Sequence, residues 1–310
     1  YAHPLVLLFL GGFIIASAME SCGLHKRIAI NILSIAGTSP SKIIAGFMIA
    51  TASISMWVSN TASTIMMLPI ATSVIALFAQ QTKSKESDLT VPLLLAIAYS
   101  ASIGGIATLI GTPTNIMLVS ILSDNYNYDI SFFDWFKVGF PTTLILIPII
   151  WFFLTHIIFK IPNRESDALH KVLRNLKEEI GKSTYAEKIV TAVFIITASL
   201  WMLRRLINNS FELNINDTSI GLFGALLLFI IPIKKNQRAC SWETASKIPW
   251  GILLLVGGGI ALSKAFNITG LASWIGSFSV FFDGYNIFLL IIIFVTLIIF
   301  LTELNSNTAT

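Results

Sequence analysis

Ser55-Met56-Trp57-Val58-Ser59-Asn60-Thr61-Ala62-Ser63 and Thr302-Glu303-Leu304-Asn305-Ser306-Asn307-Thr308-Ala309-Thr310 share the core Ser-Asn-Thr-Ala and stand 247 residues apart. The match extends outward from both. Pro4–Leu24 reads PLVLLFLGGFIIASAMESCGL and Pro249–Leu271 reads PWGILLLVGGGIALSKAFNITGL, with Gly-Gly at 11–12 and 257–258 and Gly-Leu at 23–24 and 270–271. One inserted residue aligns all three matches. Self-similarity at a fixed distance marks a duplicated structural unit.

The 310 residues are 55% hydrophobic and 12% charged, with mean hydropathy +0.80. A soluble globule carries about a quarter charged residues, so this composition belongs to a bilayer protein. Apolar runs at 5–19, 135–159, 188–207, 218–233, 250–266 and 285–301 approach the roughly 20 residues that span a membrane. Regions 40–79 and 89–123 are too long for one straight span. The first is interrupted by Ser59-Asn60-Thr61, the second by the Gly-rich run Gly104–Asn115. Non-helical backbone at membrane depth survives only buried in protein or lining a polar cavity, and such interruptions point to a transporter's binding site.

These patterns predict an all-α polytopic membrane protein, an inverted-repeat secondary transporter with re-entrant helical hairpins and broken helices. Residues 1–123 form the first repeat: helix 5–36, re-entrant hairpin 40–79 and broken helix 89–123. Residues 124–248 supply connecting and scaffold helices, with an interfacial amphipathic helix at 160–187 whose apolar stripe is Ala168, Val172, Leu173, Leu176 and Ile180. Residues 249–310 start a second repeat, cut within its Ser-Asn-Thr motif. Five crossings separate the repeats if 40–79 is re-entrant and seven if both its arms span. Either count is odd, which inverts the second unit, whereas two crossings in 89–123 would restore the parity. Basic residues cluster in 26–42, 83–85, 160–188 and 234–247, which the positive-inside rule places in the cytoplasm together with Cys240.

Around the two tips the chemistry is neutral and rich in oxygen. Ser55, Ser59, Asn60 and Thr61 lie on the first; Thr302, Asn305, Ser306, Asn307 and Thr308 lie on the second. Ser55 and Ser59, like Thr302 and Ser306, are four apart and share a helical face. A helix ending there offers carbonyls to a cation, and the helix restarting beyond it, capped by Asn or Thr, offers N–H groups to an anion. Such an oxygen set suits Na⁺. Gly111-Thr112-Pro113 is placed to close the first site, because glycine permits close carbonyl approach and proline forbids a regular helix. With no lysine or arginine at either tip, a bound dianion relies on cations and helix dipoles for compensation.

Other features read as structural. Gly11-Gly12 and Gly257–Gly259 suit close helix contacts. The run Gly104–Thr112 lacks the lysine of a phosphate loop. Glu303 suits either a cation or proton site or a structural hydrogen bond. The tryptophans fall mostly at segment ends, as an aromatic belt would. No nucleophile–base pair and no metal-binding spacing of Cys22, Cys240 or the four histidines suggests an enzyme. The basic balance reflects loop asymmetry and no nucleic-acid surface. Polar residues gathered at two tips, without a continuous lining, argue against an ion channel.

The paired Ser-Asn-Thr motifs, Leu8–Phe13 (LFLGGF) with Leu24–Ala29 (LHKRIA), and Ile103–Asn115 (IGGIATLIGTPTN) resemble the divalent anion:sodium symporter family. The resemblance implies a homodimeric, elevator-type carrier in the bacterial inner membrane, moving a small dianion such as the C4-dicarboxylate succinate, with citrate, sulfate or another anion and proton coupling as alternatives. It implies one Na⁺ on Ser55, Ser59, Asn60 and Gly111 and a second on Thr302, Asn307 and the backbone near Asn305. Substrate carboxylates would meet Asn60, Thr61, Thr112, Asn307 and Thr308. Thr114 departs from a second proline common in that loop, and the chain resembles a piece of a longer carrier.

Overall fold

A computed structural model describes residues 3–82, 87–161, 167–234, 237–278 and 284–304. It is built from α-helices apart from one short hairpin, β1 (Pro232–Lys234) with β2 (Gln237–Arg238). Among the described residues five helices are long and apolar enough to cross a membrane: Pro4–Ser21, Leu89–Ile106, Phe132–Ile158, Tyr185–Phe211 and Trp250–Ile268. The protein is an integral, multi-pass membrane protein.

Helix α1 (Pro4–Ser21) starts at a proline in its first turn, where the missing N–H costs nothing, and His3 Nδ1 accepts from the Leu5 amide. It stops at Cys22-Gly23, where Gly23 takes φ +79. The span expected as one helix over 5–36 is therefore two, α1 and α2 (Leu24–Ala36). The same left-handed glycine recurs at Gly270, φ +75, between α12 (Trp250–Ile268) and α13 (Leu271–Ser277). The duplication read from sequence is thus repeated in backbone conformation. Helix α3 (Pro40–Ser55) ends on Ser55, and α14 (Ile287–Leu304) holds Thr302, its counterpart 247 residues later, in its last turn.

Helices α3 and α4 (Asn60–Thr82) form the first broken hairpin; α5 (Ser87–Ile106) and α6 (Pro113–Tyr126) form the broken helix beside it. Helix α7 (Phe132–Phe152) opens with a capping box between Ser131 and Asp134 and runs into a wider π turn over Phe153–Ile158, shortly after Pro148 has removed one N–H. Helix α9 (Tyr185–Phe211) opens with a second capping box, Thr184 with Glu187. Helix α10 (Asp217–Ile230) is capped by Asn216, and α11 (Trp242–Ala245) by Ser241.

The amphipathic segment expected over 160–187 is helical over Asp167–Ile180, α8. Its Leu173 is buried and Leu176 half-buried within the apolar cluster of α2 to α5, so this part of the stripe packs on protein. Arg27 of α2 secures the corner after it. The guanidinium donates to both Glu187 carboxylate oxygens (2.8 and 3.2 Å) and to the carbonyls of Ile180, Gly181 and Lys182 (3.3, 2.9 and 3.1 Å).

Two apolar clusters divide the interior. One joins α1, α6, α9, α10 and α12 around Phe9, Ile116, Val193, Ile220 and Val256. The other joins α2 to α5 around Leu33, Phe47, Met67 and Leu93. Trp57, in the α3–α4 break, packs against both. Its ring meets Phe194 edge-on at 4.7 Å and lies over Phe132 at 6.1 Å, which in turn stacks on Trp201 at 4.7 Å. Trp57 and the buried Trp201 are therefore core residues, not members of an aromatic belt.

Glycine sets the closest helix approaches. A Cβ on Gly11 would sit 2.6 Å from the Gly221 carbonyl carbon, and one on Gly104 would sit 2.5 Å from the Ala52 oxygen; Gly258 faces open space. Gly104→Ala in the full-length protein is expected to destabilise it by about 1–3 kcal/mol through overpacking against backbone. Gly258→Ala should leave the thermal midpoint in detergent unchanged or slightly raised. Cys240 is buried, and burial pushes its thiol up to about 11. Little thiolate exists at pH 7, so maleimide should modify Cys240 at least about tenfold more slowly in the folded protein than after denaturation, as read by mass spectrometry over time. Sidedness is better probed with Glu243→Cys on exposed α11.

Candidate functional site

Backbone groups freed where α3 and α5 stop must find partners, and these come from the facing break, from the first turn of α6 and from α7. The Thr108 hydroxyl donates to the Met56 carbonyl. Asn115, buried in the first turn of α6, donates its amide to the carbonyls of Gly105 (2.9 Å) and Thr108 (2.8 Å). Helix α7 closes the assembly from outside: Trp135 Nε1 donates to the Ile106 carbonyl and Thr143 to that of Ile103, both at 2.9 Å.

Ser55 is fully buried at the end of α3. Its oxygen lies 2.6 Å from the Ala101 carbonyl and 2.9 Å from Asn60 Oδ1. A hydroxyl has one proton, so it satisfies one of these oxygens and leaves the cluster with surplus lone pairs. Asn60 opens α4 and reaches this cluster because residue 105 is glycine: a Cβ there would overlap its carboxamide. Gly111 is needed likewise, since its Cβ would stand 2.5 Å from the Gly105 carbonyl.

On the other side of the tip a cavity of about 900 Å³ is lined by Ser59, Asn60, Thr61, Thr64, Ser102 and Thr112. Two helices begin at its wall. Ser59 caps α4, its oxygen 3.4 Å from the Ala62 amide, and Thr112 stands at the cap of α6 in extended conformation with Pro113 behind it. Ser59 thus does not share a helical face with Ser55, as the four-residue spacing suggested; α3 has ended before it. The serine, not Asn60 or Thr61, takes the capping role, and Asn60 begins the helix proper.

The structure brings Ser55 and Asn60 together in the oxygen cluster, sets Gly111 against Gly105, and lines the cavity with Ser59, Asn60, Thr61 and Thr112. Thr302 lies apart, half-buried, its hydroxyl donating to the Ile299 carbonyl at 2.7 Å. Asn305, Asn307 and Thr308 lie outside the described residues. Sequence reasoning missed Ala101, which acts through its carbonyl and so carries no side-chain signal. It also missed Asn115, whose cue was a carboxamide in an uncharged run. Nor does the tip lack a basic neighbour: Lys247 lines the same cavity, on a different segment of the fold.

Asn115→Asp would turn the two-carbonyl donor into an acceptor of the same shape, leaving buried oxygens facing oxygens. A penalty of about 1–3 kcal/mol for each unmet group is expected. The thermal midpoint of the full-length protein should fall clearly, with wild-type behaviour meaning that those carbonyls find other partners.

The family profile described as "Citrate transporter" matches residues 1–310. A sodium-dependent dicarboxylate transporter, SdcS, of Staphylococcus saprophyticus is 39% identical over 320 residues, covering 100% of this chain and 62% of its own length. Proteins of the same name from Staphylococcus aureus are 39% identical (strain USA300) and 38% identical (bovine strain RF122) over the same shares. The chain spans 62% of the length of these relatives. Matched from end to end by the profile, with broken helices flanking a cavity inside a helical membrane protein, it belongs to the citrate transporter family, whose members are carriers and not enzymes.

Proposed function

We propose that the protein containing this chain is a Na⁺-coupled symporter of C4-dicarboxylates such as succinate, working by elevator-type alternating access as a homodimer in the bacterial cell membrane. The observation that carries this reading is the double placement of Asn60. Its carboxamide oxygen joins Ser55 and the Ala101 carbonyl, and the residue also lines the cavity where α4 and α6 begin. The oxygen cluster has the chemistry of a Na⁺ site, with Ser59 and Gly111 beside it. The helix starts suit carboxylates, held by Asn60, Thr61 and Thr112. The names of the relatives support both the cation and the substrate class.

Thr302, Asn305, Asn307 and Thr308 are proposed to build the matching half in the inverted second repeat. The hydrogen bonds that tie the two breaks together support a motion in which they travel as one body within the 1–123 unit. In domain terms, 1–123 is the first repeat, 124–248 the connection and 249–310 the start of the second. Citrate is the second reading, favoured by the profile's description and a cavity with room for a third carboxylate.

A dianion near the bilayer midplane needs positive charge with it, so Na⁺ and substrate should raise each other's affinity by the same factor. Uptake of radiolabelled succinate by the full-length protein in liposomes should collapse when choline replaces Na⁺ and be competed by unlabelled succinate better than by citrate or sulfate. Asn60→Ala should weaken Na⁺ and succinate together. Ser55→Ala should act through Na⁺ and be partly rescued by more of it. Equal uptake in choline sinks the coupling, and stronger competition by citrate reassigns the substrate.

A further inference from the structure

The cavity has two unlike walls. Ser59 to Ala62, Thr64, Ser102 and Thr112 come from the broken helices, and their polarity is neutral. The opposite wall comes from α1 and the segment entering α12, with Phe13, Ile248 and Ile252 belonging to the other apolar cluster. Two full charges stand on that second wall among the described lining residues, Glu20 and Lys247.

Helix stability does not explain the position of Glu20, and little ties down Lys247. Glu20 is exposed in the last turn of α1, where the helix end is already negative and a basic residue is favoured; that turn holds none. Its carboxylate makes no ion pair among the described residues. Lys247 is 74% exposed and only loosely paired, 3.8 Å from Glu243, which is itself 85% exposed. An exposed pair at that distance contributes little to folding. Both ionic heads are thus free to act on what enters the cavity.

We infer that Lys247 and Glu20 tune dianion binding from the cavity rim with opposite signs: Lys247 draws the doubly charged substrate in, and Glu20 limits how tightly it is held and favours the approach of the cation. The inference rests on the proposed function, since it assigns this cavity to the anion. Charges on the wall of a low-dielectric cleft raise the local concentration of an oppositely charged solute, and the effect fades as salt screens it. By the same rule a negative charge on that wall opposes the anion and favours a cation.

The test is succinate uptake and direct succinate binding by the full-length protein at fixed Na⁺, with choline chloride setting ionic strength. Lys247→Gln should raise KM about 3- to 10-fold at low ionic strength, with kcat little changed, and the gap should close in high salt. Glu20→Gln should lower KM by a similar factor, and Lys247→Arg should behave as wild type. Glu243→Gln removes the ion pair and spares the lysine, so it should not raise KM; a rise equal to that of Lys247→Gln would make the lysine structural and overturn the inference. Unchanged KM in both cavity variants, or shifts in the same direction, would overturn it as well. Those outcomes require a wild type that shows Na⁺-dependent uptake; a wild type without it brings down the functional reading and this inference together.

Discussion

Polypeptide interrupted inside a bilayer has no water to satisfy the N–H and C=O groups that the interruption frees. The organisation around the α3–α4 and α5–α6 breaks follows from that constraint. Neither break is self-sufficient. Met56 leans on Thr108, the loop carbonyls of Gly105 and Thr108 converge on Asn115, and the end of α5 takes the Trp135 indole. Approach this close requires backbone against backbone, and Gly104, Gly105 and Gly111 provide it. Polarity at the tip is a by-product of solving the hydrogen-bond problem, and it leaves oxygen atoms with unused lone pairs.

The same architecture separates rigidity from freedom. The breaks are tied to each other by side-chain hydrogen bonds, while Trp57 touches both apolar clusters and meets one of them through ring contacts, which have no fixed donor–acceptor geometry. The cavity draws its neutral polar groups mainly from the broken helices and its two full charges from α1 and the approach to α12.

Much of this was legible in the chain. The first Ser-Asn-Thr unit located one tip, glycine and proline located the second break, and the uncharged runs gave the helices. Backbone chemistry was not legible: the Ala101 carbonyl has no residue signature, and the helix stop at Ser55, which moves Ser59 from a shared face to a cap, depends on where the facing helix ends. Charge was misjudged for a related reason. Reading along the sequence, Lys247 is far from residue 60, and only the folding of the α12 entrance beside α1 brings it to the cavity. Tryptophan followed membrane statistics poorly because Trp57 and Trp201 fill space between helices, a role periodicity does not reveal.

The Arg27 fork bears on how the surface turn at 181–184 tolerates change. Exposed connections between helices ordinarily accept insertions, because their backbone is bonded to water and can rearrange. Here the carbonyls of 180, 181 and 182 are all held by one guanidinium that is itself locked to Glu187 at the start of the next helix. The planar fork has a fixed span that lysine does not reproduce. An added residue would carry those carbonyls out of reach, so the length of this short surface stretch is specified as tightly as the volume of a core side chain, although it lies in the open.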